Sequence, residues 1–121
     1  EWVEKRNQLA NFYKHHLAPL NIECLTIIDD CTSSYHLFVI LLAKEKRLAA
    51  YQLLKSHGIA TQVHYIPIVM QPDYQALGFS VEQLPITQQY YEQCLTLPLY
   101  PDLTHEQQSS ICSLLATLVN D

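Results

Sequence analysis

The chain has 121 residues, 49% apolar and 16% charged, a composition that fits one folded domain and excludes a disordered segment. A formal net charge of −5 at pH 7 leaves no basic stripe for a nucleic-acid backbone. The longest apolar run, residues 37–43, is far shorter than the roughly 20 residues that a membrane-spanning helix needs.

Residues 2–17 read as an amphipathic helix. Val3, Ala10 and Leu17 recur every seven residues, Leu9 and Tyr13 fill the same stripe, and Pro19 ends it. Residues 21–30 read either as a short edge strand or as an extended connector, and 31–34 (CTSS) carry turn chemistry. YHLFVILL, residues 35–42, is the clearest strand, and its almost wholly apolar character suggests cover on both faces. A helix follows from about Lys44 to His57, with Gly58 where a left-handed cap belongs. TQVHY, residues 61–65, reads as a further strand, with Thr61, Val63 and Tyr65 on one side and Gln62 and His64 on the other.

Residues 66–84 read as irregular, punctuated by Pro67, Pro72 and Gly78. So long a loop in a compact domain is either functional or contains a helical turn. A helix over 85–94 starts near Pro85, and a strand over 95–100 alternates Leu95, Leu97 and Leu99. The last helix opens with a capping box of Thr104 and Gln107 and carries an apolar stripe of Ile111, Leu114, Leu115 and Leu118. Three short strands with helices between them predict an α+β fold, a two-layer sandwich with a small three-stranded sheet. One face of the sheet packs on the helices, and the other is expected to be covered by something outside the chain.

The sequence opens at Glu1, in the charged and polar stretch EWVEKRNQ, which lacks an initiating methionine and does not resemble a signal peptide. The expectation is a fragment or an excised domain of a cytoplasmic protein, one domain spanning residues 1–121. Cys24, Cys31, Cys94 and Cys112 have no Cys-x-x-Cys spacing and read as buried free thiols. No metal-ligand pattern occurs, and two glycines cannot supply a phosphate-cradling loop. No Gly-x-Ser-x-Gly elbow occurs either. Lys44, Lys46 and Arg47 read as a solvated helix face, with a phosphate contact as the weaker reading.

The candidate site residues are few. His36, at the head of the central strand, has the chemistry of an acid, a base or a donor to a phosphate or hydroxyl. A histidine capped by local backbone is the slightly stronger reading of that position. His64 and Tyr65 end the strand over 61–65, just before the long loop, and their polar tips suit an oxygen-rich ligand such as a sugar or a phosphate. From spacing alone, a satisfied core histidine and a packed tyrosine weigh at least as much.

The ordered series YHLFVI, GIATQVHYIPI, QPDYQALGF and LTLPLYPDLTHEQ resembles the carboxy-terminal small domain of the DegT/DnrJ-type sugar aminotransferases. These are fold-type I enzymes that use pyridoxal 5′-phosphate (PLP), and the match looks closest to the UDP-4-keto-sugar transaminases of pseudaminic acid biosynthesis. The resemblance covers nearly the whole chain. It implies that the activity, amino transfer from glutamate to a nucleotide-linked keto sugar, belongs to a longer protein. It also implies that a large domain preceding Glu1 carries the PLP lysine, the aspartate facing the pyridine nitrogen and most phosphate contacts. The partners implied are that large domain, a second subunit of a homodimer and the nucleotide-sugar substrate, with no nucleic acid and no membrane. The chain alone is then expected to be inactive, with no catalytic, cofactor-binding or metal-binding residue of its own.

By position, His64 and Tyr65 match the family's His-Tyr pair near the sugar nucleotide, and His36 matches the histidine opening the small-domain strand. Pro67 matches the proline that shapes the loop's exit, as its locked φ allows. Three positions depart from the pattern: Val69 where a second histidine is usual, Asp73 where an aromatic follows Gln-Pro, and Gln88 where an acidic residue is common. The alternatives are a free-standing domain that binds nucleotide sugars and a structural or dimerisation module, neither with catalysis.

Overall fold

The computed structural model describes residues 1–119. In chain order its elements are α1 (Trp2–Leu17), β1 (Glu23–Cys24), β2 (Phe38–Leu41), α2 (Lys44–Ser56), α3 (Pro72–Ala76), α4 (Pro85–Gln93), β3 (Cys94–Leu97) and α5 (His105–Val119). Short 3₁₀ turns occupy Ala18–Leu20, Ile68–Met70 and Val81–Gln83. The three strands form one antiparallel sheet in the order β1-β2-β3, with Val39 opposite Thr96 and Ile40 opposite Leu95. Strand alternation sends Phe38, Ile40, Leu42, Leu95 and Leu97 to one face. There they join a core with Leu9, Tyr13 and Leu17 of α1, Leu54 of α2, and Ile111 and Leu115 of α5. Each such large side chain contributes about 1.5–3 kcal/mol by leaving water. The result is the two-layer α+β sandwich expected.

Local signals place the helices. Thr104 and Gln107 form the reciprocal capping box at the start of α5, at 3.2 and 2.9 Å. At the other end of α2, the amide of Ile59 donates to the Leu54 carbonyl and that of Gly58 to Lys55, the Schellman pattern. Gly58 takes φ +73° to make it. Pro85 stands in the first turn of α4. Val3, however, is exposed, so the α1 stripe starts at Leu9. Of the four free thiols expected to be buried, Cys94 and Cys112 are, Cys24 is half-buried, and Cys31 is exposed in the turn before β2.

The strands differ more from expectation. Glu23–Cys24 settles the ambiguous segment 21–30 as a minimal edge strand. The central strand begins at Phe38, not Tyr35. Tyr35 lies in the left-handed region at φ +44° and donates its amide to Ser33 Oγ, so the turn chemistry of 31–34 extends further than expected. The expected strand over 61–65 shrinks to a single bridge, Gln62 with Thr96. Its neighbours in an antiparallel ladder would be residue 60 with Pro98 and residue 64 with Cys94. Pro98 has no N–H, and the Cys94 amide is already donated to Tyr90 at the end of α4. The ladder is cut on both sides.

Pro98 also ends β3 earlier than the expected strand over 95–100. The irregular stretch 66–84 contains helical turns: Ile68–Met70, α3 and a 3₁₀ turn opened by a Ser80–Gln83 capping box. The second sheet face is not left wholly to an outside partner, because Val39, Cys94 and Thr96 on that face are buried by the chain itself.

Candidate functional site

The cut ladder builds the site. Beyond Gln62 the chain leaves the sheet, and His64 folds over the second face at the edge of β3. Its Nδ1 lies 2.8 Å from Thr96 Oγ1. The Tyr90 hydroxyl of α4 donates to the His64 carbonyl at 3.3 Å. That carbonyl would have accepted from Cys94 in a continued ladder. The His64 and Tyr65 rings meet edge to face, their centroids 4.7 Å apart, and the peptide bond between them is cis. An extended strand would have set the two rings on opposite sides. The structure brings them together, and this corrects the alternation expected for 61–65. Tyr65 is 68% exposed, while His64 is half-buried.

Pro67 is buried and precedes the turn Ile68–Met70, its carbonyl accepting from Met70 N at 2.9 Å. Val69 of that turn is buried too, so this departure from the family pattern points inward. His36 is exposed on a bend two residues before β2. Among the described residues, no hydrogen bond or ring contact joins it to His64 or Tyr65. Thr96 and Tyr90 were not among the candidates. Thr96 carried a signal, as the polar residue within the apolar LTLPL. Tyr90 carried none, because only the packing of α4 puts it beside His64.

Burial, reinforced by nearby Cys94, pushes the Tyr90 phenol above its ordinary range, and burial does the same to the Cys94 thiol. Both stay protonated at neutral pH, so the phenol can donate. The basic trio is engaged structurally. Lys44 pairs with Glu92 at 2.8 Å, Lys46 donates to the carbonyls of Leu118 and Val119, and Arg47 lies over the Tyr91 ring. Hydrogen bonds from Lys44 and then Gln88 hold the Glu92 carboxyl below its usual value. Among the described residues, no cluster of three His, Cys, Asp or Glu side chains could hold a metal ion. No helix there is long and apolar enough to cross a membrane.

The residues do not fit a PLP site. Lys14 and Lys55 lie over tyrosine rings, Lys44 and Lys46 are engaged as above, and Lys5 is exposed on the first turns of α1. Both glycines take positive φ in turns and stand 20 residues apart, so they form no Gly-rich phosphate loop. Tyr65, Ile66, Ile68, Tyr74, Leu77 and Phe79, close to one another along the chain, are all exposed, and the Tyr74 and Phe79 rings lie 6.1 Å apart.

An open antiparallel sheet layered on helices, with the His64–Tyr65 pair at its edge, defines a small α+β domain. The chain belongs to the DegT/DnrJ/EryC1/StrS aminotransferase family, whose model matches residues 1–116. It is 32% identical over 119 residues to a pleiotropic regulatory protein of Geobacillus stearothermophilus, covering 95% of this chain and 32% of that protein. It is 30% identical to the dTDP-3-amino-3,6-dideoxy-alpha-D-galactopyranose transaminase of Aneurinibacillus thermoaerophilus, covering 86% of this chain and 28% of that one. Among solved structures, the PMP form of Spr1654 from Streptococcus pneumoniae superposes with a TM-score of 0.90 at 28% identity, over 98% of this chain and 31% of that chain. Helicobacter pylori PseC, an aminotransferase involved in pseudoaminic acid biosynthesis, superposes at 0.87 over 98% of this chain and 33% of its own. At 24% identity that likeness speaks for the fold alone. The chain spans about a third of the length of the curated relatives it matches.

Proposed function

We propose that residues 1–121 form the small domain of a PLP-dependent transaminase that moves an amino group, from glutamate, to a nucleotide-linked keto sugar. The match over residues 1–116 at about a third of the relatives' length carries this reading. The remaining two thirds would hold PLP, which supplies the electron sink for amino transfer. The chain's own residues would position the sugar. His64 and Tyr65 offer an imidazole and a phenol to its oxygens, His36 offers a second imidazole, and Pro67 sets the loop's path. The exposed apolar side chains between Tyr65 and Phe79 would dock on the rest of the same polypeptide, with a second subunit completing the cleft. A cytoplasmic setting suits the four free thiols. The motif series favours a UDP-4-keto-6-deoxy sugar of a cell-surface polysaccharide or pseudaminic acid route as the acceptor.

The test is the longer protein, purified with PLP, glutamate and a panel of UDP- and dTDP-linked keto sugars. Amino-sugar formation by the longer protein, with none from the 121-residue chain alone, is expected. Turnover by the 121-residue chain, or no amino transfer to any keto sugar by the longer one, would sink the proposal.

A further inference from the structure

Thr96 is 8% exposed, yet it stands in the middle of an otherwise apolar strand. Among the described residues its hydroxyl has one hydrogen-bond partner, His64 Nδ1 at 2.8 Å. Either group could donate across that contact. If His64 Nδ1–H donated, the Thr96 O–H would be left as a buried donor without an acceptor, which costs more than an unused oxygen lone pair. The favoured arrangement has Thr96 donating to Nδ1, which leaves the proton on Nε2. The backbone of the same residue is held separately, by the Tyr90 hydroxyl on the His64 carbonyl at 3.3 Å. The edge-to-face contact with Tyr65 bounds the ring on a further side.

We propose that Thr96 and Tyr90 are positioning residues that fix the His64 ring and backbone, so that His64 presents Nε2–H as a donor to an oxygen of the substrate. This rests on the reading of His64 as a substrate-binding residue. The cut in the β-ladder is what makes the device available. A continued strand would have given the His64 carbonyl to Cys94 and left Tyr90 without that acceptor. The substrate group selected is an acceptor, such as a carbonyl, phosphate or hydroxyl oxygen, and not an ammonium.

Two measurements test it. First, nitrogen NMR of the His64 imidazole is recorded in the parent chain, Thr96→Val and Thr96→Ser. The parent should show Nδ1 unprotonated and hydrogen-bonded with Nε2 protonated. Thr96→Val should move the Nδ1 resonance to a non-bonded position, and Thr96→Ser should restore it. An unchanged Nδ1 resonance in folded Thr96→Val, or a parent with the proton on Nδ1, overturns the proposal. Second, KM for the keto sugar is measured in the longer protein. Thr96→Val should raise it roughly threefold to tenfold, the worth of one hydrogen bond. In a His64→Ala background the same change should have no further effect. Equal effects in both backgrounds would make Thr96 merely structural and overturn the proposal. Where Thr96→Val does not fold, Tyr90→Phe replaces it in the same cycle, with a smaller rise expected in the parent, none beside His64→Ala, and an equal effect in both again decisive against it. A normal KM in His64→Ala alone would instead sink the substrate-binding reading, while the Nδ1 resonance still decides the positioning claim.

Discussion

The side-chain amide of Gln108 donates to the carbonyl of Leu9 over 2.9 Å, tying α5 to α1 from opposite ends of the chain. Gln108 is wholly buried, and its Oε1 has no hydrogen-bond partner among the described residues. Two effects therefore oppose each other at this residue. Gln108→Ala loses the bond and opens a cavity, and should destabilise the chain by about 2–4 kcal/mol in a denaturant titration. Gln108→Met keeps the volume and removes the unpaired oxygen, so its cost should stay below about 1.5 kcal/mol. Equal losses in the two variants would contradict this account.

Lys46 Nζ reaches the carbonyls of Leu118 and Val119 at 2.8 and 3.3 Å, where α5 leaves them unpaired and its dipole is negative. Lys46→Met should cost about 1 kcal/mol, seen as a lower unfolding midpoint. Lys44→Met breaks only the exposed pair with Glu92, so its effect should be smaller and should fade at high salt.

Gly58 has φ +73°, and a Cβ built there would meet nothing within 4 Å. The cost of Gly58→Ala is therefore a backbone cost, about 1–2 kcal/mol. Gly58→Asn, which tolerates the left-handed region better, should cost less. Thermal unfolding of the two variants side by side checks the order, and a larger loss in Gly58→Asn would count against the argument.

Burial, with Cys24 nearby, pushes the Cys112 thiol from 9.0 up to about 11, and burial raises the Tyr13 phenol as well. Each group is held neutral in the folded state, so its contribution is fully present below the unfolded pKa. It is lost as pH rises through the folded value. Stability should thus decline from about pH 9 toward pH 11, where the unfolded thiol ionises first. Cys112→Ala should flatten that decline without abolishing it, because Tyr13 and Cys24 still titrate. A slope identical to the parent's in stability measured across pH 8–11 would refute the assignment.

The candidate site was legible only in part. The residues 61–65 and their sequel stood out because a strand pattern ran into Pro67 without a turn. What His64 touches was hidden, since Thr96 lies 32 residues on and Tyr90 26. His36 matched by position, yet it lies on an exposed bend, and among the described residues no hydrogen bond or ring contact joins it to the pair. The turns within 66–84 were readable in principle, from Pro72 at a first helical position and from Ser80 with Gln83, but short turns give no apolar period to notice.

The helices, their caps and the apolar stripes of α1 and α5 were determined by the sequence itself, because a helix closes on residues three and four positions away. So was the α+β class, although one of the three strands it was read from, 61–65, gives its place in the sheet to Glu23–Cys24. The strand limits, the burial of Gln108 and the meeting of His64 with Tyr65, Thr96 and Tyr90 were decided by tertiary structure alone. A strand's length depends on what its partner has left to offer: β3 brought a proline without an N–H and a Cys94 amide already given to α4. That is why 61–65 became one bridge and a histidine carbonyl that accepts from Tyr90 and not from β3, where its own alternation predicted a strand.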